Sequence, residues 1–243
     1  MWGAFMNRFY LKLLCLILLP VLLFAFISVL VIDRRSVLTG SYVTNSDTFT
    51  VIVDAGHGGE DGGAVAPDGS PEKDFNLDIA LKLENILKLY GFEVIMTRST
   101  DKMTCDDGLD TQRAKKVSDI KNRLKLIQRY PEAVFVSIHQ NNFQDRKQNG
   151  TQVFYSKNNF RSKELADLIQ DSIVNNLQKD NKRLTKKSGT EIYLLYHSNN
   201  PSVLVECGFL SNEGDLSLLK NENYRFEIAL LIADGIMKYR FQR

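Results

Sequence analysis

Apolar positions along the chain follow three distinct patterns. The first is unbroken: from Leu13 to Ile32 every residue is apolar except Ser28, with Arg8 and Lys12 before the run and Asp33-Arg34-Arg35 after it. About 20 apolar residues span a bilayer, whereas the apolar core of a cleaved signal is roughly 7–15 long. No small-x-small cleavage site closes the run, and Cys15 lacks the small preceding residue of a lipoprotein signal. The pattern predicts an uncleaved signal-anchor over residues 1–35, with cleavage and secretion as the alternative. Its flanking positive charge is nearly balanced, so the short N-terminal tail decides orientation and places the rest of the chain outside the cytoplasm.

The second pattern is the short apolar run. Phe49–Val53, Phe92–Thr97, Ala133–Ile138, Thr151–Ser156, Ile192–Tyr196 and Val203–Val205 read as strands, several of them buried on both faces. The third has helical spacing. Ile79, Ala80, Leu83, Ile86, Leu87 and Tyr90 form one such face, with Ser70 as the expected N-cap, Pro71 as the first helical residue and Gly91 as the stop. Further helices are expected over about Thr111–Arg129, Arg161–Leu177 and Glu222–Phe241, the last with Phe226, Ala229, Leu230 and Ala233 inward. Lys179–Lys187 reads as a basic loop.

Strands that alternate with helices in this way predict an α/β fold. Its mostly parallel, twisted sheet is covered by helices on both faces. The polar, turn-rich residues 36–48 form a linker, and residues 49–243 the globular domain. At 243 residues, 44% hydrophobic and 25% charged, the chain has room for one such domain and its anchor. A net charge of +2, with no Lys/Arg cluster interleaved with aromatics, excludes a nucleic-acid partner. Of the three cysteines, Cys15 falls in the anchor, and Cys105 and Cys207 have no zinc-type spacing. Free thiols are expected at both.

The chemistry gathers where strands end. After Val53 comes Asp54-Ala55-Gly56-His57-Gly58-Gly59-Glu60-Asp61-Gly62-Gly63-Ala64, a glycine-rich loop around one of only three histidines. It lacks both the dinucleotide spacing and a Gly-Lys-Ser/Thr, so it is not a phosphate cradle. A second strand ends in His139 and a third in Glu206, while a helix begins at Glu72. Strand C-termini and a helix N-terminus meet on one rim of an open sheet. Two imidazoles and a carboxylate are a catalytic zinc set, with a further carboxylate to move protons. Which glutamate does which is left open by residue type alone. His197, in a polar stretch, reads as a surface residue.

The glycine-loop stretch, Glu72-Lys73, Ser137-Ile138-His139 and Val205-Glu206-Cys207-Gly208-Phe209-Leu210-Ser211-Asn212 resemble the zinc-dependent N-acetylmuramoyl-L-alanine amidases over about residues 49–240. The resemblance implies that His57, Glu72 and His139 bind Zn²⁺ at the strand C-terminal rim and that Glu206 is the catalytic carboxylate. It implies a substrate of peptidoglycan glycan strands with stem peptides. An anchor followed by a bare amidase domain looks most like the family members that act in the spore cortex, and whether an accessory protein is a partner is left open by the sequence. One departure stands out: Gln140 follows the second histidine where the family has a small residue. Two other readings of the same residues are a zinc carboxypeptidase or aminopeptidase, and a non-catalytic wall-binding module.

Overall fold

The computed structural model describes residues 49–242. The anchor expected over Leu13–Ile32 and the linker lie outside the described residues. Among the described residues no helix is long and apolar enough to cross a membrane.

Six strands form one sheet: β1 (Thr50–Ala55), β2 (Glu93–Met96), β3 (Val134–Asn141), β4 (Gln152–Tyr155), β5 (Lys186–Lys187) and β6 (Ser202–Phe209). Their order is β2-β1-β3-β6-β4-β5, and every pairing is parallel except β4 against β6. The helices are α1 (Glu72–Leu89), α2 (Gln112–Gln128), α3 (Arg161–Asn176), α4 (Tyr193–His197), α5 (Glu213–Lys220) and α6 (Glu222–Phe241).

Side chains alternate across the strands, so each strand feeds two cores. Val51, Val53, Val134, Val136, Val203 and Val205 pack into the larger one, with α1, α3 and α6. Ile52, Phe135 and Leu204 point the other way, into a smaller core with Ile127 of α2 and Leu194 and Leu195 of α4. Both faces are therefore covered, as the strand pattern predicts.

Several elements differ from the sequence expectation. Ile192–Tyr196 is not a strand; Tyr193–His197 is one short helix. A five-residue apolar run has no length with which to express either period, so packing decides. Two residues of the expected basic loop, Lys186 and Lys187, pair as an edge strand with Phe154 and Tyr155. Helix α5 goes unforeseen, although Asn212 caps it by accepting from Asp215 N at 3.0 Å. In α6 the inward side belongs to Tyr224, Ile228, Ala229, Ile232, Ala233, Ile236 and Tyr239, while Phe226 and Leu230 are 47% and 37% exposed. The helix is apolar around most of its circumference, so its neighbours, not its period, choose the buried side.

Helix α1 starts one residue later than expected, with Pro71 in the cap position and no side-chain cap. Instead Glu72 N donates to Ala64 O at 2.8 Å and Lys73 N to Gly62 O at 3.1 Å. The loop's carbonyls thus take two of the first-turn donors that a cap would serve. This fastens the glycine loop onto the N-terminus of α1. Cys105 and Cys207 are both free thiols.

Candidate functional site

The four residues singled out in the sequence converge at one end of the sheet. His57 lies in the loop after β1, and Glu72 opens α1. His139 and Glu206 sit inside β3 and β6 rather than at their ends, because both strands run on, to Asn141 and Phe209. The pairing shifts register between His139 and Asn141, a bulge immediately beyond the histidine.

One atom from each of His57, Glu72 and His139 lies within 4.8 Å of the others. His139 Nδ1 is 2.8 Å from Glu72 Oε1, and His57 Nε2 is 3.3 Å from Glu72 Oε2. Glu72 is nearly enclosed at 4% side-chain exposure, whereas the rings are 26% and 21% exposed, so the cluster opens to solvent on its imidazole side. Neutral donors fix the carboxylate: Ala64 N at 2.9 Å, Asn76 Nδ2 at 3.1 Å and Gln140 N at 3.1 Å. His57 Nδ1 is 2.8 Å from Asp61 Oδ2, and Lys116 holds Asp61 Oδ1 at 2.7 Å. A carboxylate behind a histidine fixes its tautomer and turns the other nitrogen to the front, here Nε2 toward Glu72.

Two glycines make the crowding possible. A Cβ on Gly56 would lie 2.2 Å from His139 Nε2, and one on Gly63 would lie 2.6 Å from Glu72 Oε2.

The electrostatics ask for a cation. Burial opposes protonation of His57, but hydrogen bonds and charge from Asp61 and Glu72 outweigh it and carry the ring up to about 9. Burial likewise opposes the charge on Glu72, yet hydrogen bonds from His139 and His57 hold its carboxyl far below the usual range. Two carboxylates thus keep a proton on imidazole where a metal ion would take its place. Tetrahedral bonds of about 2.0–2.1 Å put neighbouring ligand atoms about 3.3 Å apart. The donor set, its spacing and its charge all fit zinc.

Glu206 stands beside this cluster in a different state. The residue is partly exposed, but its Oε2 is shut off from solvent and has no hydrogen-bond partner. Burial pushes its carboxyl up to about 7, with His139 and His57 pulling back. One glutamate is saturated with donors and the other left wanting one. That asymmetry distinguishes the two where residue type did not.

Along the smaller-core face runs a cavity of about 420 Å³, bounded by His57, His139, Lys116, Ile120, Tyr193 and Leu194 among others. A second hollow, of about 250 Å³, continues from it over Phe135, Leu195 and Leu204. His197 is exposed, as expected, and its ring lies tilted against Tyr193 at 4.3 Å between centroids. Gln140 turns inward and donates to Asn76 Oδ1 at 3.2 Å, so the unusual residue braces the partner of Glu72.

The sequence reading missed Asp61, Asn76, Arg98, Arg123 and Asp54. Asp54 carried a signal, being a carboxylate that ends a β-branched run. Asp61, four residues after His57, carried a weaker one. Arg123 had none: it is one of many basic residues on its helix.

A family model described as N-acetylmuramoyl-L-alanine amidase matches residues 51–238. The germination-specific N-acetylmuramoyl-L-alanine amidase of Bacillus subtilis is 34% identical over 189 residues, which cover 78% of this chain and 78% of that protein. Among solved structures, the CwlD amidase from Clostridioides difficile in complex with the GerS lipoprotein superimposes with a TM-score of 0.77 at 43% identity, covering 80% of this chain and all of that one. AmiC2 of Nostoc punctiforme gives a TM-score of 0.66 at 32% identity, over 81% and 98% of the two chains.

Proposed function

The chain belongs to the N-acetylmuramoyl-L-alanine amidase family, and on that premise we propose that it hydrolyses the amide joining the lactyl group of N-acetylmuramic acid to the L-alanine of the stem peptide. His57, Glu72 and His139 hold zinc, and Glu206 carries protons. One observation supports the assignment most directly: three fixed donor atoms within 4.8 Å of one another, beside a carboxylate oxygen that is closed to solvent and unpartnered.

Zinc bound there supplies Lewis acidity, which polarises a carbonyl and brings the pKa of a water molecule down to about 7. The residues of the chain do the rest. Asp61 and the donors on Glu72 hold the ligand atoms in place before substrate arrives. Glu206 accepts the proton of the attacking water and returns it to the leaving nitrogen of L-alanine. A carboxyl pushed up to about 7 suits both halves of that transfer near neutral pH. The cavity along α2 and α4 opens beside His57 and His139, which suits a stem peptide lying next to the metal ligands.

The B. subtilis relative is named for germination, which supports a role for this chain in the spore cortex. The C. difficile amidase was solved with a lipoprotein, which supports an accessory partner of that kind. Residues 1–35 serve as the membrane anchor and residues 36–48 as the linker of an extracytoplasmic domain, a reading that rests on the length of the apolar run.

The test is mass spectrometry of purified peptidoglycan after incubation with the zinc-loaded full chain in detergent. Released peptides beginning with L-alanine, and muramic residues stripped of peptide, are the expected products. Cuts only within the stem peptide would replace the amidase reading with the peptidase one.

A further inference from the structure

His57 is the only non-glycine residue with positive φ among the described residues, at 61°. A side chain in that region needs something to hold it there. The three carbonyls from Ala55 to His57 all turn inward onto two buried arginines, Arg98 from the segment after β2 and Arg123 from α2. Ala55 O accepts from Arg98 Nε at 2.8 Å and from an Arg123 Nη at 2.8 Å. Gly56 O accepts from Arg98 at 3.0 Å, and His57 O from Arg123 at 2.7 Å. Arg123 is itself pinned by Asp54 at 2.6 Å and Asp119 at 2.8 Å. Arg98 has no carboxylate in ion-pair range among the described residues, and its remaining partners are the carbonyls of Lys73 and Thr100.

We propose that Arg98 and Arg123 are positioning residues that hold His57 in its metal-binding pose by gripping the loop's carbonyls. Burying a guanidinium is a poor way to stabilise a fold, because an apolar side chain of similar volume does as well or better. What a guanidinium adds is a rigid fork of charged donors, each bond roughly twice as strong as a neutral one. The two forks meet at Ala55 O and fix the plane of each peptide up to His57. Without them the loop is free to relax to negative φ, which swings the Cα–Cβ bond and takes Nε2 away from Glu72. The carbonyls, once turned inward, also leave the open side of the cluster to imidazole nitrogen alone.

This inference rests on the zinc reading of the cluster. Its test is titration calorimetry of zinc into the metal-free full chain in detergent, with the melting temperature of each metal-free variant measured alongside. Arg123→Lys replaces the fork by a point charge that cannot reach four partners. It is expected to weaken zinc binding at least tenfold and to alter the visible spectrum of the cobalt-substituted protein. Ile127→Ala, on the same helix and in the smaller core, is the control for destabilisation alone. It should lower the melting temperature yet leave zinc affinity within twofold. If Arg123→Lys does not fold, Asp119→Asn carries the test, since it keeps an oxygen to accept from Thr104 while weakening the carboxylate that orients Arg123 Nε; a several-fold loss of affinity is then expected. A folded Arg123→Lys or Asp119→Asn variant with wild-type zinc affinity and spectrum overturns the proposal. A wild-type chain that binds no zinc overturns the metal reading, and this inference with it.

Discussion

His139 and Glu206 are register partners on the adjacent parallel strands β3 and β6, so their side chains leave the same face of the sheet one strand spacing apart. That lateral pairing sets a candidate metal ligand beside a candidate proton carrier without any loop between them. Sites built on strands are held more precisely than sites on loops. Strand alternation puts Glu206 on the same sheet face as Leu204 of the smaller core, and its Oε2 finds no donor there.

Glu206→Gln therefore separates chemistry from structure. The amide keeps the shape but accepts no proton, so turnover should fall by at least about 10²–10⁴-fold at saturating zinc. The zinc content should stay near that of the wild type. Since the substitution removes a desolvated carboxyl with an unpartnered oxygen, the metal-free melting temperature should hold or rise. A zinc-replete variant with near-normal turnover would remove Glu206 from the mechanism.

Glu72→Ala should behave in the opposite way. It takes away the carboxylate that both imidazoles face, at 2.8 Å and 3.3 Å, and activity should disappear through loss of metal. His57→Ala and His139→Ala should do the same, and chelation of the wild type should be reversed by added zinc. Metal analysis of the purified variants is the check, and stoichiometric zinc in any of the three would count against the ligand set.

Gly56→Ala probes packing at the site. The added methyl would fall 2.2 Å from His139 Nε2, a distance that the ring can escape only by rotating away from Glu72. The expected result is a folded domain by circular dichroism, with zinc affinity reduced at least tenfold. Unchanged affinity would mean that the loop, not the ring, gives way.

The Asp54 network predicts a pH dependence. Burial raises the Asp54 carboxyl, but Arg123, Ser137 and Thr97 outweigh it and hold it down at about 2, below its usual 3.8. A lowered carboxylate stabilises the fold above its unfolded pKa, and that stability is lost as pH falls through the folded value. The ionised form thus contributes about 2 kcal/mol at neutral pH, taking 1.36 kcal/mol per unit. Asp54→Asn removes one of the two buried carboxylates on Arg123, with Asp119 left in place, and should cost about 2 kcal/mol near pH 7 on the same conversion. Urea unfolding of both proteins should show that gap narrowing as pH falls from 4 toward 2. A constant gap would mean that Asp54 is not the charge that matters.

The alternation of strand and helix, and so the parallel sheet, was legible in the sequence because hydrophobic period is a local property. Residues two or four apart decide it. His57, Glu72, His139 and Glu206 were legible for a related reason, since a polar group that ends a buried run, or opens a helix beside a glycine loop, is conspicuous in its own neighbourhood. Tertiary structure alone decided the surroundings of the two glutamates. They differ not in type but in what surrounds them: Glu72 accepts from Ala64, Asn76 and Gln140, while Glu206 Oε2 meets nothing. It also decided which basic residue of α2 is buried. Arg123 bonds Asp54 across 69 residues of chain, and nothing local sets it apart from Lys121 or Lys125. A charge enters a core only where remote groups converge to compensate its lost hydration, and that convergence exists only in the folded chain.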